Sequence, residues 1–294
     1  MQTETQTQNL VKLDNLLDID SLKRAEIEII LDHAVSMEEV LNRDIKKVPS
    51  LRGKTIVTLF YESSTRTRVS FEQAGKILSA DVININNKTS SNNKGESLYN
   101  TALTIQAIGA DVVIIRHPHS GAPHFISKHI KTSVINAGDG THAHPTQALL
   151  DLYTIKKKVG SIEGKNIVLV GDILYSRVAR SHMWGLSKLG ANITICGPET
   201  LIPNDFIKGL KNISGHPFNN IKITSNIDEG LKNADIVMAL RLQLERQQSG
   251  HLPSLREYSR EFGITEERLK KSNQNVIVMH PGPMNEGIEI ESNV

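Results

Sequence analysis

Eight short runs of apolar, mostly β-branched residues alternate with amphipathic stretches along most of this chain. The runs are "TIVTLF", "DVINI", "DVVIIR", "SVINAG", "NIVLVGD", "NITICGP", "DIVMAL" and "NVIVMHP". Gly, Asp, Asn or Pro bounds each run and a helical pattern follows it, as expected for buried parallel strands in βα units. A helix is also predicted earlier, over "SLKRAEIEIILDHAVSMEEVL", with Asp20 and Ser21 as candidate caps. The sequence therefore predicts an α/β fold with doubly wound parallel sheets.

The alternation breaks once, at "HPTQALLDLYTIKKKVGSIEGKN", where one long helix leads into a Gly-rich turn. Both halves begin alike, with "RGKTIVTLF" at Gly53 and "EGKNIVLVGD" at Gly164, although "GK" before a strand is common at surface turns. The pattern predicts two similar α/β domains joined by helices, over residues 1–145 and 146–294. A pair of domains would place a ligand cleft between them.

The composition limits which partners the chain is expected to have. Its 34 Lys and Arg against 32 Asp and Glu give a net charge of +2, so neither nucleic acid nor an anionic membrane is predicted as a partner. No apolar run approaches the ~20 residues of a membrane span, and "MQTETQTQNL" lacks the pattern of a secretory signal. The single cysteine, Cys196, fits a reducing compartment. We therefore expect a cytoplasmic protein.

Polar loops, most of them rich in Arg or His, follow six of the predicted strands. They are "YESSTRTR", "RHPHSG", "GDGTHAHPTQ", "GDILYSRVAR", "RLQLER" and "HPGPMN". Because ligands of parallel sheets gather at the carboxyl ends of the strands, these loops are expected to lie around one cleft. Their basic residues predict that this cleft binds an anion.

The loop "SSTRT" lies between a strand and a helix, so its backbone N–H groups would favour a phosphate at the helix N-terminus. Ser64, Thr65 and Thr67 would add hydroxyl donors, and Arg66 would add a planar fork that matches phosphate oxygens. The alternative interpretation is that Ser and Thr only cap the helix and the arginines are solvated. The loop is not the P-loop pattern, so nucleotide hydrolysis is not predicted.

Arg116 and the loop "THAHPTQALL" offer further polar groups. Arg116 ends a buried strand, where either a bound anion or a structural salt bridge would offset its desolvation. His144 and Gln147 lie at the N-terminus of the helix opened by Pro145, where they could polarise a carbonyl or hold an amide. His142 and His144 could both ligate a metal, but no matching carboxylate or cysteine cluster accompanies them, so no metal site is predicted.

The later loops favour a carboxylate ligand. "NIVLVGDILYSRVARS" resembles the start of a dinucleotide fold but lacks G-x-G-x-x-G, which disfavours a nicotinamide site. Arg177 and Arg180 would place positive charge near a helix N-terminus. "RLQLER" supplies Arg241, Gln243 and Arg246 at the next strand end, and together these residues suggest a dicarboxylate pocket.

Seven motifs occur in the order typical of one family. They are "FYESSTRTRVSFE", "SxxxKGES", "IRHP", "GDGxxxHPTQALLDLYTI", "GDxxxSRVARS", "LRxQxER" and "MHPGPMN". From roughly residue 12 to its end, the chain resembles the bacterial aspartate carbamoyltransferase catalytic subunits of the aspartate/ornithine carbamoyltransferase superfamily. The resemblance implies transfer of the carbamoyl group of carbamoyl phosphate to the α-amino group of L-aspartate, an early step of de novo pyrimidine biosynthesis. It implies neither a metal nor an organic cofactor.

The resemblance also implies the roles of individual residues. Carbamoyl phosphate is implied to contact Ser64, Thr65, Arg66, Thr67, Arg116, His144 and Gln147, with the main chain around Pro281, Gly282 and Pro283 against its amide. L-Aspartate is implied to contact Lys94, Arg177, Arg241 and Gln243. Of these, Arg66, Thr67, Arg116 and His144 are the implied catalytic residues, because they would stabilise the oxyanion and the leaving phosphate.

The resemblance extends to the assembly. The loop from Ser90 to Lys94, which alone is typical of a solvent loop, reaches a neighbouring subunit's site in this family, so a homotrimer with shared sites is implied. Glu62 is implied to pair with Arg177 and Arg246 from the other half. Regulatory chains and a dihydroorotase are partners that the sequence leaves open. The family usually continues beyond "HPGPMN" to a helix that returns to the first domain, and this helix is expected to be absent before Val294.

Ornithine carbamoyltransferase is the nearest alternative, since it shares the "STRT" and "HPTQ" loops. Its late loop resembles "HCLP", with a cysteine where this chain has Pro281. A cationic second substrate would also be poorly served by Arg177 and Arg241. A non-catalytic relative would be expected to lack the phosphate-loop arginines or the histidine, which this chain retains.

Overall fold

Strands and helices alternate along the chain, as the apolar runs predict. The computed structural model describes residues 13–86, 96–203, 207–209, 212–244, 246 and 254–294. Within them, strands β1 to β9 are Thr55–Phe60, Asp81–Asn86, Val112–His117, Ser133–Asp139, Asn166–Val170, Asn192–Cys196, Lys222–Thr224, Ile236–Ala239 and Ile277–Met279. Helices α1 to α9 are Arg24–Leu41, Thr65–Ile77, Leu98–Ala107, Ala122–Ser127, Pro145–Val159, Arg177–Lys188, Ile227–Leu231, Leu255–Phe262 and Glu266–Leu269.

The strands form two parallel sheets, one in each half of the chain. Their strand orders are β2-β1-β3-β4 and β7-β6-β5-β8-β9. In the first sheet, Val57 of β1 pairs with Ile83 on one side and Val113 on the other. The predicted α/β fold with two doubly wound parallel sheets is therefore confirmed.

Both faces of each sheet are covered, which explains why the strands read as nearly continuous apolar runs. On β1, Val57 and Leu59 belong to one core cluster, whereas Ile56 and Phe60 belong to another. The second sheet repeats this division between alternate residues of β5. Because successive side chains of a strand point to opposite faces, each strand contributes to two cores.

Two local features differ from the sequence prediction. Strand β7, Lys222–Thr224, was not predicted, because three residues at a sheet edge carry too little periodic signal. The prediction that Asp20 and Ser21 cap the first helix was wrong, since α1 begins at Arg24. Its first turn is closed by the backbone N–H of Lys23, which donates to Glu26 Oε2 at 2.6 Å.

Helix α5 occupies the predicted junction and runs from Pro145 to Val159. Leu152 and Ile155, on its buried face, share a core cluster with Ile27 and Leu31 of α1 and with residues of the second sheet. Its N-terminus follows β4 of the first sheet, so the helix carries packing from one half of the chain to the other. No helix in the described part of the chain is long and apolar enough to cross a membrane.

Replacement of Leu152 by alanine should destabilise the protein by about 2–5 kcal/mol, because the fully buried side chain would leave a cavity between α5 and its neighbours. Leu150→Ala on the same helix is the matched control, since Leu150 is 58% exposed and should change stability by less than about 0.5 kcal/mol. Urea unfolding of the two variants measures the difference. Equal effects would contradict the assignment of α5 to the core.

Candidate active site

The carboxyl ends of strands from both sheets face one cleft of about 800 Å³. It is lined by residues that follow β1, β4, β5, β8 and β9, together with Arg116 near the end of β3. A cleft of this size lies within the range of small-molecule sites. The two halves of the chain therefore contribute jointly to one site.

Helix α2 places its N-terminus in this cleft. Ser64 is the N-cap, and its Oγ accepts a hydrogen bond from the backbone N–H of Thr67 at 3.4 Å. The capping role that the sequence left as an alternative is therefore present, and the N-terminal end of the helix dipole still faces the cleft. Arg66 reaches across to the second half, where its Nη1 lies 3.3 Å from the position that a Cβ on Gly282 would take.

Glu62 joins the two halves through three arginines. Its Oε1 accepts hydrogen bonds from Arg116 Nη2 at 2.8 Å, Arg177 Nη2 at 2.9 Å and Arg246 Nη2 at 3.1 Å. Its Oε2 accepts another from Arg177 Nη1 at 3.0 Å. The predicted pairing with Arg177 and Arg246 is confirmed. Arg116 makes the structural salt bridge that the sequence left as one of two alternatives, although its partner was not predicted. Burial raises the pKa of Glu62, but these arginines outweigh burial, and the net pKa lies below the ordinary value.

Arg177 reaches Glu62 through a gap beside the loop after β4. Gly138 adopts φ 112°, and a Cβ there would lie 2.9 Å from the Arg177 guanidinium carbon. Arg177 Nη1 also donates to the carbonyl of Gly140 at 3.2 Å. The glycines of "GDG" therefore leave room for a guanidinium whose side chain is only 4% exposed.

Arg116 and His144 lie side by side deep in the cleft. Arg116 Nη1 donates to the carbonyl of Ala137 at 3.2 Å and lies 3.5 Å from His144 Nε2. Burial and the charge of Arg177 lower the pKa of Arg116 to about 10. Burial, Arg177 and Arg116 lower the pKa of His144 well below its ordinary value. His144 is therefore neutral near pH 7 and can donate a hydrogen bond to a carbonyl oxygen without carrying charge.

Two buried carboxylates shape the loop after β8. Asp172 Oδ2 accepts the backbone N–H of Gln243 at 3.1 Å, and Glu289 Oε1 accepts that of Leu242 at 3.0 Å. Glu289 Oε2 also accepts the backbone N–H of Asn285 at 2.6 Å, which ties this loop to the one that follows β9. These carboxylates were not predicted as site residues, because backbone contacts between distant loops leave no local pattern; the only signal was "GD" after β5.

The structure brings nearly all the predicted site residues together. The cleft lining contains Ser64, Thr65, Arg66, Thr67, Arg116, His144, Gln147, Arg177, Arg241, Gln243, Pro281, Gly282 and Pro283. Lys94 and the rest of its loop lie outside the described residues. Arg180 lies in the first turn of α6, near the helix N-terminus as predicted, but it is not among the residues that line the cleft.

The two histidines of "THAH" have different surroundings. His142 Nδ1 lies 3.0 Å from Asp139 Oδ2, and this hydrogen bond raises the pKa of His142. His144 faces Arg116 instead. Among the described residues, no three His, Cys, Asp or Glu side chains are grouped to hold a metal ion.

Comparison with known proteins defines the family. Sequence models described as "Aspartate/ornithine carbamoyltransferase, carbamoyl-P binding domain" and "Aspartate/ornithine carbamoyltransferase, Asp/Orn binding domain" match residues 14–157 and 163–294. The chain belongs to the aspartate/ornithine carbamoyltransferase family. It is 56% identical to the aspartate carbamoyltransferase catalytic subunit of Roseiflexus sp. strain RS-1, over 95% of this chain and 86% of that protein.

Solved structures of the carbamoyltransferase family share the fold. Aspartate transcarbamoylase from Trypanosoma cruzi, in complex with carbamoyl phosphate and aspartate, superposes with a TM-score of 0.84 at 30% identity, over 95% of this chain and 88% of that one. Ornithine carbamoyltransferase from Pyrococcus furiosus gives a TM-score of 0.84 at 28% identity, with the same coverage. The fold is thus common to both branches of the family and does not distinguish their second substrates.

Replacement of Glu62 by glutamine should lower the free energy of unfolding at neutral pH, on the order of 2 kcal/mol, because three guanidiniums lose their shared carboxylate. The folded-state pKa of Glu62 lies below its ordinary value of 4.5, so this stabilisation is present above that value and is lost as the pH falls through the folded-state pKa. Urea unfolding from pH 7 to pH 3 measures the difference.

Glu163→Gln is the control for this experiment, since it removes an ion pair with Arg24 in which both side chains are exposed, and it should change stability little. A stability difference between wild type and Glu62→Gln that stayed constant down to pH 3 would show that Glu62 does not act through its charge.

Proposed function

We propose that this protein transfers the carbamoyl group of carbamoyl phosphate to the α-amino group of L-aspartate, which yields N-carbamoyl-L-aspartate and phosphate. The supporting observation is one cleft lined by cationic groups from both halves of the chain, since the N-terminus of α2 and Arg66 come from the first half and Arg177 and Arg241 from the second. The relatives described above are named for this activity. The product belongs to an early step of pyrimidine synthesis.

Carbamoyl phosphate is proposed to bind on the α2 side. Its phosphate would accept hydrogen bonds from the first turn of α2, from the hydroxyls of Ser64, Thr65 and Thr67, and from Arg66. The helix N-terminus favours the dianion, and the guanidinium fork matches two of its oxygens. The same groups would stabilise the extra charge on phosphate as it leaves.

The carbamoyl group would lie against the floor of the cleft. Thr67, Arg116 and His144, which all line the cleft, would donate hydrogen bonds to its oxygen, where negative charge develops as the amine attacks. The neutral state of His144 suits a hydrogen-bond donor better than a proton source. Gln147 and the main chain around Pro281, Gly282 and Pro283 would contact the carbamoyl amide.

L-Aspartate is proposed to bind on the other side, against Lys94, Arg177, Arg241 and Gln243. Two carboxylates need a concentration of cations, which the loops after β5 and β8 supply. The amine would attack the carbamoyl carbon directly, and the departing phosphate would accept its proton. Holding both reactants in attack geometry lowers the barrier by an amount that reaches about 7–11 kcal/mol in favourable intramolecular systems.

We infer a homotrimer in which Lys94 of one chain completes the site of the next, and a cytoplasmic location consistent with the single buried thiol of Cys196. We place the division between the carbamoyl-phosphate half and the aspartate half near residue 145, where β4 passes into α5.

Arg66→Ala should lower kcat/KM for carbamoyl transfer to aspartate by roughly 10²–10³-fold, because an arginine that stabilises the leaving phosphate would be lost. Arg68→Ala is the matched control, since Arg68 lies two residues further along α2 and is not part of the cleft lining. Steady-state assays with aspartate and with ornithine compare the variants. A wild-type enzyme that carbamoylates ornithine but not aspartate would contradict the proposed substrate.

A mixture of two inactive variants, Arg66→Ala and Lys94→Ala, should recover activity after the subunits are dissociated and reassembled together. If chains assort at random, about a quarter of the sites regain both side chains when each site draws on two subunits. Activity after reassembly measures this complementation, and each variant reassembled alone is the control. If the mixture recovers no activity, both residues belong to the site of the same chain, and the proposed sharing of sites between chains is contradicted.

A further inference from the structure

A buried carboxylate stands directly behind one of the substrate-binding side chains. Asp151 is 4% exposed, and both of its oxygens accept from Gln147 Nε2, Oδ1 at 3.1 Å and Oδ2 at 3.2 Å. The two residues are four apart on α5, so they share one face of the helix. Both line the cleft.

We propose that Asp151, supported by His182, is a positioning residue that fixes the side-chain amide of Gln147 with its carbonyl oxygen toward the carbamoyl N–H groups. The inference rests on the proposed function, because it concerns how the same cleft selects a carbamoyl group. Both Asp151 oxygens accept from Gln147 Nε2, so the nitrogen of the Gln147 amide faces Asp151. Because the amide is planar, its oxygen is turned to the opposite side.

His182 supplies the support from the next helix. It lies on α6, is fully buried, and its Nε2 is 2.9 Å from Asp151 Oδ2. Its Nε2 is close to the carboxylate but is not aligned for a straight hydrogen bond. Asp151 is therefore held between Gln147 and His182, and a buried carboxylate needs such polar neighbours to offset its desolvation.

The consequence is selectivity for a group that carries N–H donors. A carbonyl oxygen held in place accepts a hydrogen bond from a carbamoyl amide but repels a carboxylate oxygen at the same position. Asparagine at position 151 could present either an oxygen or an N–H to Gln147. The Gln147 amide would then be free to turn over and present its own N–H groups to the ligand.

Two stable ligands of nearly equal shape test this directly. Phosphonoacetamide carries the amide, and phosphonoacetate carries a carboxylate in its place. Calorimetric titration of wild type and Asp151→Asn gives the ratio of the two dissociation constants for each protein. We expect wild type to prefer the amide and this preference to fall roughly tenfold in the variant, with phosphonoacetate binding retained, because one oriented hydrogen bond is lost.

If Asp151 had only a structural role, Asp151→Asn would weaken the binding of both ligands equally and leave the ratio of their dissociation constants unchanged. That result would overturn the inference. The double variant Gln147→Ala with Asp151→Asn should have the same ratio as Gln147→Ala alone, because Asp151 acts only through Gln147. An additional fall in the double variant would also contradict the inference. If Asp151→Asn does not fold, Asp151→Ser gives the same test, since its short side chain cannot hold the amide.

Asp18→Asn is the matched control, since Asp18 Oδ2 makes a similar contact with His124 Nε2 at 2.8 Å and neither residue lines the cleft. Its ratio of the two dissociation constants should equal that of wild type.

Failure of the inference is distinguishable from failure of the proposed function. Wild-type protein that binds neither ligand and transfers no carbamoyl group contradicts the proposed function, whereas an active wild type with an unchanged ratio in Asp151→Asn contradicts the inference alone.

Discussion

The contact between Glu62 and three guanidiniums is the interaction on which the rest of the cleft depends. Arg116 comes from the first sheet, and Arg177 and Arg246 come from the second half of the chain. Like charges so close together repel one another, so a shared carboxylate is needed to hold them. The same contact joins the two halves across the cleft. The shape of the cleft therefore depends on the Glu62 side chain.

Burial, together with the positive charge around Glu62, also sets the protonation of the cleft. Burial with neighbouring arginines lowers the pKa of Arg116 and the pKa of His144. His144 is therefore a neutral hydrogen-bond donor and Arg116 a charged one, and both lie at the position proposed for the carbonyl oxygen. Charge in this cleft is thus arranged before substrate arrives, which is the condition for electrostatic stabilisation of a transition state.

Behind the cationic cleft lies a second layer of buried carboxylates that hold the loops. Asp139 accepts the backbone N–H groups of Gly121 at 2.6 Å and Ala143 at 3.1 Å, and Asp172 and Glu289 support the loop after β8 in the same way. Asp151 holds a side chain rather than a backbone N–H group, since it accepts hydrogen bonds from the amide of Gln147. Each carboxylate fixes groups that would otherwise sample several positions, so the loops reach the cleft already ordered.

The sequence predicted the strands and most of the cleft, because apolar runs and strand-end loops are local features. The eight predicted runs all became strands, and the polar residues after them meet as parallel sheets require. The features that the sequence did not predict depend on contacts between distant residues. They are the ion pair of Arg116 with Glu62, the hydrogen bonds that Glu289 accepts from the loops after β8 and β9, and the position of His182 behind Asp151. The absence of Arg180 from the cleft lining depends on how α6 packs, which the spacing of the arginines does not determine.

Binding of N-(phosphonacetyl)-L-aspartate tests the central claim most directly, because one molecule carries the phosphonate, the amide and both carboxylates that the two sides of the cleft are proposed to hold. Calorimetric titration should give saturable binding at least 10²-fold tighter than that of phosphonoacetamide, since both halves bind one ligand without a second loss of translational freedom. The matching derivative of ornithine should bind much more weakly. Tighter binding of the ornithine derivative, or no gain over phosphonoacetamide, would contradict a cleft built for carbamoyl transfer to aspartate.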